Sequence, residues 1–233
     1  MLSFSPTTST RSNENEPICV LASGGLDSCI LVAIKNKQHP EVYPVYIRQG
    51  LHWEDVEILW LQRFLNALKA DTIHKLTVLD LPVADLYGVH WSTTGKKVPG
   101  ADTEDAAVYL PGRNVLLLTK AAVFCAMQDI HQIAIGVSDH NPFSDATPEF
   151  FELIETAFSS AMDSPIHIIR PFASLSKKAI TQLGSNLPLE LSFSCINPQG
   201  ELHCGVCNKC AERKKGFREA SLEDKSVYSD SNQ

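Results

Sequence analysis

From residue 18 onward, short apolar runs alternate with segments long enough for a helix, and this alternation limits the fold more than any other feature. The runs fall at 18–21, 42–47, 73–79, 132–137 and 166–169. Helical patterns fall at 27–37, 54–70 and 114–127, from Pro148 toward residue 162, and after Ser176. In 54–70, Val56, Leu59, Trp60, Phe64 and Leu68 keep close to the 3.6-residue period. Strands joined through helices form βαβ units, so the expected fold is α/β: a doubly wound, mostly parallel sheet covered on both faces. Such sheets bind ligands beyond the carboxyl ends of their strands. The loops after the first, second and fourth strands are therefore where chemistry is expected. Residues 80–112 show no period and read as a functional loop or a disordered stretch.

The loop after the first strand is Leu21-Ala-Ser23-Gly24-Gly25-Leu26-Asp27-Ser28. Two glycines let the backbone approach a ligand without a Cβ in the way. The helix that follows offers free N–H groups and the positive end of its dipole, which suits an anion. Ser23 and Ser28 add hydroxyl donors. Asp27 would repel a phosphate directly, so it either works through a bridging Mg2+ or caps the helix. The glycine spacing fits neither a Walker loop nor a dinucleotide fingerprint.

The seven cysteines divide into scattered and clustered ones. Cys19, Cys29 and Cys125 lie in apolar contexts and read as small core residues. Cys204, Cys207 and Cys210 form CxxCxxC, with Cys195 nine residues upstream. Four thiolates complete a tetrahedral zinc site, which is then structural because no position is left for substrate. An iron–sulfur cluster is the rival occupant. His203 sits beside a ligand and reads as a surface or neighbouring histidine.

Composition narrows the partners. The chain has 233 residues, 44% hydrophobic and 20% charged, as an ordinary globular protein has. Its formal charge of −7 argues against a nucleic-acid partner, including a tRNA substrate. No apolar run reaches the roughly 18–20 residues of a membrane span, and the polar N-terminus lacks a signal-peptide core. No membrane association and a cytoplasmic location are expected. The expected organisation is a disordered lead (1–16), a nucleotide-binding α/β domain (17–190), a four-cysteine zinc segment with a helix (191–220) and a flexible tail (221–233).

Residues 23–28 resemble the pyrophosphate loop of the PP-loop ATP pyrophosphatases, which split ATP between its α- and β-phosphates. Joined to the C-terminal cysteines, they resemble the 7-cyano-7-deazaguanine synthase family over about residues 17–220. Further matching strings are Leu110-Pro-Gly-Arg113-Asn114, Ile135-Gly136-Val137 followed by Asp145 and Pro148-Glu149-Phe150, Ser176-Lys177, and His203-Cys204-Gly205 onward to Arg213. The resemblance implies ATP, Mg2+ and Zn2+ as cofactors. The substrates would be 7-carboxy-7-deazaguanine and ammonia, joined through an adenylated intermediate to give the nitrile. It assigns ATP to Leu21, Ser23, Gly24, Gly25, Leu26, Asp27 and Ser28, and catalysis to Asp27, Ser28, Arg113 and Lys177. Substrate contacts fall to Arg113, Asp145 and Glu149, and the metal to Cys195, Cys204, Cys207 and Cys210. A homodimer is implied by analogy. Two loops depart from the family pattern, at 47–53 and 138–147, where the base or the amine should sit. They motivate an alternative: a paralogue that adenylates the same acid but stops at the amide or joins it to an amine on a protein partner. Trp53, Trp91 and Phe143 are candidates to stack on a base or to pack in the core. Asp145 and Glu149 have helix capping as their other reading, Arg113 a surface ion pair and Lys177 an exposed helix position.

Overall fold

The structure is a computed structural model and describes residues 12–138 and 141–229. Five parallel strands form one sheet: β1 (Ile18–Leu21), β2 (Val42–Arg48), β3 (Thr77–Asp80), β4 (Gln132–Ala134) and β5 (His167–Ile169), in the order β3-β2-β1-β4-β5. The helices are α1 (Leu26–Gln38), α2 (Glu54–Leu68), α3 (Ala84–Tyr87), α4 (Trp91–Thr94), α5 (Arg113–Met127), α6 (Pro148–Met162), α7 (Lys177–Leu183) and α8 (Asn208–Ala220). The sheet is doubly wound, as the alternation of runs requires. Ile18, Val20, Val42, Tyr46 and Ala134 point to one face, where α1, α2, α7 and α8 pack. Cys19, Leu21, Val45, Ile47 and Ile133 point to the other, under α5 and α6. The side chains alternate because successive Cβ atoms in a strand leave on opposite sides.

Two strands, β3 and β4, are shorter than their apolar runs by three residues. Ile73 bridges Val42, while Thr77 pairs with Val45, so β3 spends one residue more than β2 across that interval. The extra residue breaks the ladder as a bulge does, and the regular strand begins only at Thr77. β4 leaves the ladder after Ala134, and Ile135, Gly136 and Val137 turn to line a cavity.

Local signals set the helix ends. Thr147 accepts a hydrogen bond from the Phe150 N–H with Pro148 in the first turn of α6, and Ser176 accepts from the Ala179 N–H at the start of α7. α1 has no such cap: Gly25 occupies the N-cap, and Lys35 and Lys37 complement the dipole at the far end.

A third buried cluster gathers the irregular region around the cysteines. Leu51, Trp53, Val83, Val108 and Leu110 pack with Phe193, Ile196 and all four clustered cysteines. Gly100 bridges Cys207, and the Asn208 N–H donates to the Pro99 carbonyl at 3.0 Å. The aperiodic stretch 80–112 holds the one-turn helices α3 and α4, and long-range contacts fix it in place. Residues 12–16 lie against α1 and β4: the Asn13 N–H donates to Gln132 at 2.7 Å, and Lys35 Nζ donates to Ser12 at 2.9 Å. Residues 222–229 run back along the cysteine segment, where Tyr228 bridges His203 and Ser226 accepts from Arg213. The rest of the expected lead (1–11), the end of the expected tail (230–233) and residues 139–140 lie outside the described residues. Among the described residues, no helix is long and apolar enough to cross a membrane.

Candidate functional site

The sheet order reverses direction at β1, which lies between β2 and β4. Ligands of open α/β sheets bind at such a switch point. A cavity of about 330 Å3 opens there, lined by the loop after β1, the ends of β2 and β4, and the starts of α1, α5, α7 and α8. The loop closes on itself. Ser23 Oγ and Ser28 Oγ are 3.1 Å apart, the Gly25 N–H donates to Ser23 Oγ at 3.3 Å, and Ser28 Oγ donates to the Gly25 carbonyl at 3.1 Å. Gly24 has φ +80°, and a Cβ there would stand 2.9 Å from the Glu57 carbonyl oxygen. Only glycine fits both the left-handed backbone and the close approach. With no side chain capping α1, its first N–H groups are available to a ligand.

Four charged side chains line one wall. Lys177 Nζ is 2.9 Å from each Asp27 oxygen and 3.3 Å from Glu212 Oε1, and Lys209 Nζ is 2.6 Å from Glu212 Oε2. Burial works against the charged form of Lys177, but Asp27 and Glu212 outweigh it and raise its pKa. Burial likewise opposes the Glu212 carboxylate, yet Lys177 and Lys209 hold it at about 2. Asp27 sits in the first turn of α1 and does not occupy its N-cap.

Arg113 occupies the first turn of α5, and its Nε donates to Gln49 Oε1 at 3.3 Å. Gln49 belongs to the divergent loop, which wraps around Glu54: the N–H groups of Gln49, Gly50 and Leu51 donate to its carboxylate at 2.6, 2.7 and 2.9 Å. Ile47 and Trp53 from this loop line the cavity, whereas Arg48 turns outward to Asp55. Trp53 stacks on Trp91, and Phe143 meets Tyr109 in a tilted contact. Glu57, deeply buried on the cavity wall, accepts from the Tyr46 hydroxyl at 2.6 Å. Burial lifts its pKa to about 8, against the pull of Tyr46 and Arg113.

Of the residues singled out by sequence, the cavity gathers Leu21, Ser23, Gly25, Leu26, Asp27, Ser28, Arg113 and Lys177. Asp145 and Glu149 are not among its lining. Asp145 is buried and accepts from the Asn114 N–H at 2.9 Å, so its carboxylate holds the start of α5 on which Arg113 stands. Glu149 is exposed in the first turn of α6. Tyr46, Glu57, Lys209 and Glu212 went unnoticed in the sequence. Lys209 and Glu212 lie inside the 203–213 string, but its spacing marks the cysteines alone, and packing of α2 and α8 against the loop after β1 brings Glu57, Lys209 and Glu212 to the cavity.

The four clustered cysteines are buried, with all four sulfurs within 4.8 Å of one another. Cys195 and Cys207 Sγ are 3.9 Å apart, Cys204 and Cys210 Sγ 4.0 Å. One tetrahedral ion with bonds of about 2.3 Å requires sulfurs roughly 3.8 Å apart, so the donors fit a single metal ion. N–H groups of Asn197 and Cys204 point at Cys195 Sγ, and that of Cys207 at Cys204 Sγ, at 3.2–3.3 Å. Such bonds favour thiolates. His203 is not one of the clustered ligands: it accepts from the Ser194 N–H at 3.2 Å, and burial lowers its pKa to about 4. Arg213, fully buried on α8, ties this region to the site wall through Ser192, Ser194, Ser226 and the Leu189 carbonyl.

The family described as "Queuosine biosynthesis protein QueC" matches residues 17–221. A 7-cyano-7-deazaguanine synthase of Methanothrix thermoacetophila is 31% identical over 221 residues, covering 89% of this chain and 96% of the relative. Proteins of the same name from Methanocaldococcus jannaschii and Acetivibrio thermocellus are 31% and 32% identical, covering 88% and 90% of this chain and 96% of each relative.

Proposed function

Since the chain belongs to the queuosine biosynthesis protein QueC family, we propose that it converts 7-carboxy-7-deazaguanine and ammonia to 7-cyano-7-deazaguanine at the expense of ATP. The observation that carries this reading is the cavity at the end of β1. There an uncapped helix start, two serine hydroxyls, Lys177 and Arg113 converge on one space. That arrangement suits a polyphosphate, because its charge meets oriented N–H dipoles and cations in a partly buried setting.

A carboxylate oxygen is a poor leaving group, and adenylation makes it a good one. The acid's oxygen attacks the α-phosphorus, the α–β bond breaks, and pyrophosphate leaves with the bonding electrons. Ammonia adds at the acyl carbon, AMP departs with the oxygen, and loss of a proton gives the amide. A second ATP adenylates the amide oxygen with loss of pyrophosphate, and AMP then departs with that oxygen as the two remaining N–H protons are lost, giving the nitrile. The loop N–H groups, Ser23 and Ser28 hold the phosphates, and Lys177 and Arg113 stabilise the charge that develops on them. A bound Mg2+ would supply further charge neutralisation, with the Asp27 carboxylate as its ligand. Near neutral pH Glu57 is protonated and adds no repulsion. Asp145 acts by fixing the α5 start that carries Arg113.

The metal in the cysteine site is zinc in this reading. The 3.9 and 4.0 Å sulfur separations support one ion, whereas an iron–sulfur cluster divides its four cysteines between two or four irons and spreads the sulfurs apart. Incubation of the full chain with the acid, ATP and ammonium, followed by mass spectrometry, tests the function. Nitrile is the expected product, with AMP and pyrophosphate from the adenylation step. Amide alone, or a mass increment on a protein amine, would transfer the assignment to the paralogue suggested by the divergent loops. No AMP and no pyrophosphate with the acid present would refute the adenylation step itself.

A further inference from the structure

Lys209 stands between two cysteines of the metal cluster, in the first turn of α8, and its side chain lines the cavity, not the cluster. It ends a chain of charges that runs Asp27, Lys177, Glu212, Lys209, with contacts of 2.9, 3.3 and 2.6 Å. All four side chains are about one-third exposed, and all four border the cavity. Two carboxylates and two ammonium groups leave this wall with no net charge. A triphosphate brings several negative charges against it, and Asp27 and Glu212 would repel them. The arrangement becomes attractive when the lysines turn to the phosphates. Among the described residues, two carboxylates hold Lys177 and one, Glu212, holds Lys209. An ammonium on a flexible four-carbon stem can exchange one oxygen partner for another with little backbone movement.

We propose that Lys209 is a second phosphate-binding cation, paired with Glu212 in this arrangement and turned to the phosphates when nucleotide binds. This rests on the reading of the cavity as a nucleotide site. Its consequence is that the cysteine segment has a part in binding as well as in folding. The backbone that carries Lys209 is fixed by thiolates on both sides.

Calorimetric titration of the zinc-loaded full chain with inorganic pyrophosphate, magnesium ATP and adenosine tests this. Lys209→Met keeps the apolar stem and removes the charge. It is expected to weaken pyrophosphate and ATP about tenfold, with adenosine affinity, zinc content and melting unchanged. Lys209→Arg should restore most of the affinity. Lys215→Ala, an exposed site on the same helix, should leave it unchanged. Glu212→Gln should tighten pyrophosphate several-fold in the wild-type background and less so beside Lys209→Met, because the freed Lys209 accounts for part of the gain. Wild-type pyrophosphate affinity in Lys209→Met, or an equal Glu212→Gln effect in both backgrounds, would overturn the proposal alone. A wild-type chain that binds neither pyrophosphate nor ATP would overturn the nucleotide reading, and this inference with it.

Discussion

The loop after β1 and the cysteine segment are both tight turns rich in N–H groups, but they spend them differently. In the cysteine segment the N–H groups of Asn197, Cys204 and Cys207 point at sulfur. Four donors converge there on a space for one ion, and nothing is left over. In the loop after β1, the start of α1 has no side-chain cap, and its N–H groups face a cavity of about 330 Å3. The first turn completes itself and so serves the fold. The second leaves its electrostatic demand for a ligand to meet. Damage to one should therefore appear as lost stability, and damage to the other as lost chemistry in a protein that still melts normally.

The largest effect is expected from Cys207→Ser. Structural zinc contributes on the order of 10 kcal/mol to the folding of isolated zinc modules. Here Cys207 also packs within the third cluster and bridges Gly100. Loss of the ion and of roughly 5 kcal/mol of stability should follow, a fall in melting temperature of about 10–20 °C. Metal analysis and thermal melting measure both. A metal-free Cys207→Ser chain with wild-type melting would erase the distinction between the two turns.

Asp27→Ala and Ser28→Ala test the other side. Both residues line the cavity, and removing Asp27 leaves Lys177 its contact with Glu212. Pyrophosphate release should fall at least a thousandfold, about 4 kcal/mol on the barrier, while unfolding changes by about 1 kcal/mol. If melting falls as far as activity does, the loop is a structural turn after all.

The two regions also differ in how far the sequence revealed them. Ser23 to Ser28 and the four cysteines are local strings whose chemistry is written in consecutive spacing, so both could be read directly. The alternation of apolar runs gave the doubly wound sheet, because strand and helix periods are local too. The bulge before Thr77 could not be read, since it depends on how β3 registers against β2. Nor could the order imposed on 80–112, which comes from Asn208, Cys207 and the third cluster far along the chain. Asp145 illustrates a middle case. Its carboxylate was visible as a candidate, but a contact with the Asn114 N–H, thirty-one residues away in sequence, decides which group it holds.

Glu57 sharpens the comparison at its smallest scale, because it is a buried carboxyl on the cavity wall that accepts from the Tyr46 hydroxyl. Its ordinary pKa of 4.5 is lifted to about 8 by burial, with Tyr46 and Arg113 opposing the lift. Below pH 4.5 the folded and unfolded chains both carry the proton, and the contribution to stability is constant. Between 4.5 and about 8 the unfolded carboxylate has released its proton and the folded one keeps it, so stability falls as pH rises, by at most about 1.4 kcal/mol per unit. Relaxation around Arg113 should reduce this to about 2 kcal/mol between pH 6 and pH 8. Glu212 contributes no slope in that window, being held near 2. Glu57→Gln keeps an acceptor for the Tyr46 hydroxyl and removes the titration. Denaturant unfolding of both proteins from pH 6 to pH 8 should therefore show the variant gaining on the wild type as pH rises. Parallel curves would mean that Glu57 is ionised in the folded chain, and the cavity would then carry one more negative charge than a polyphosphate site tolerates without additional cations.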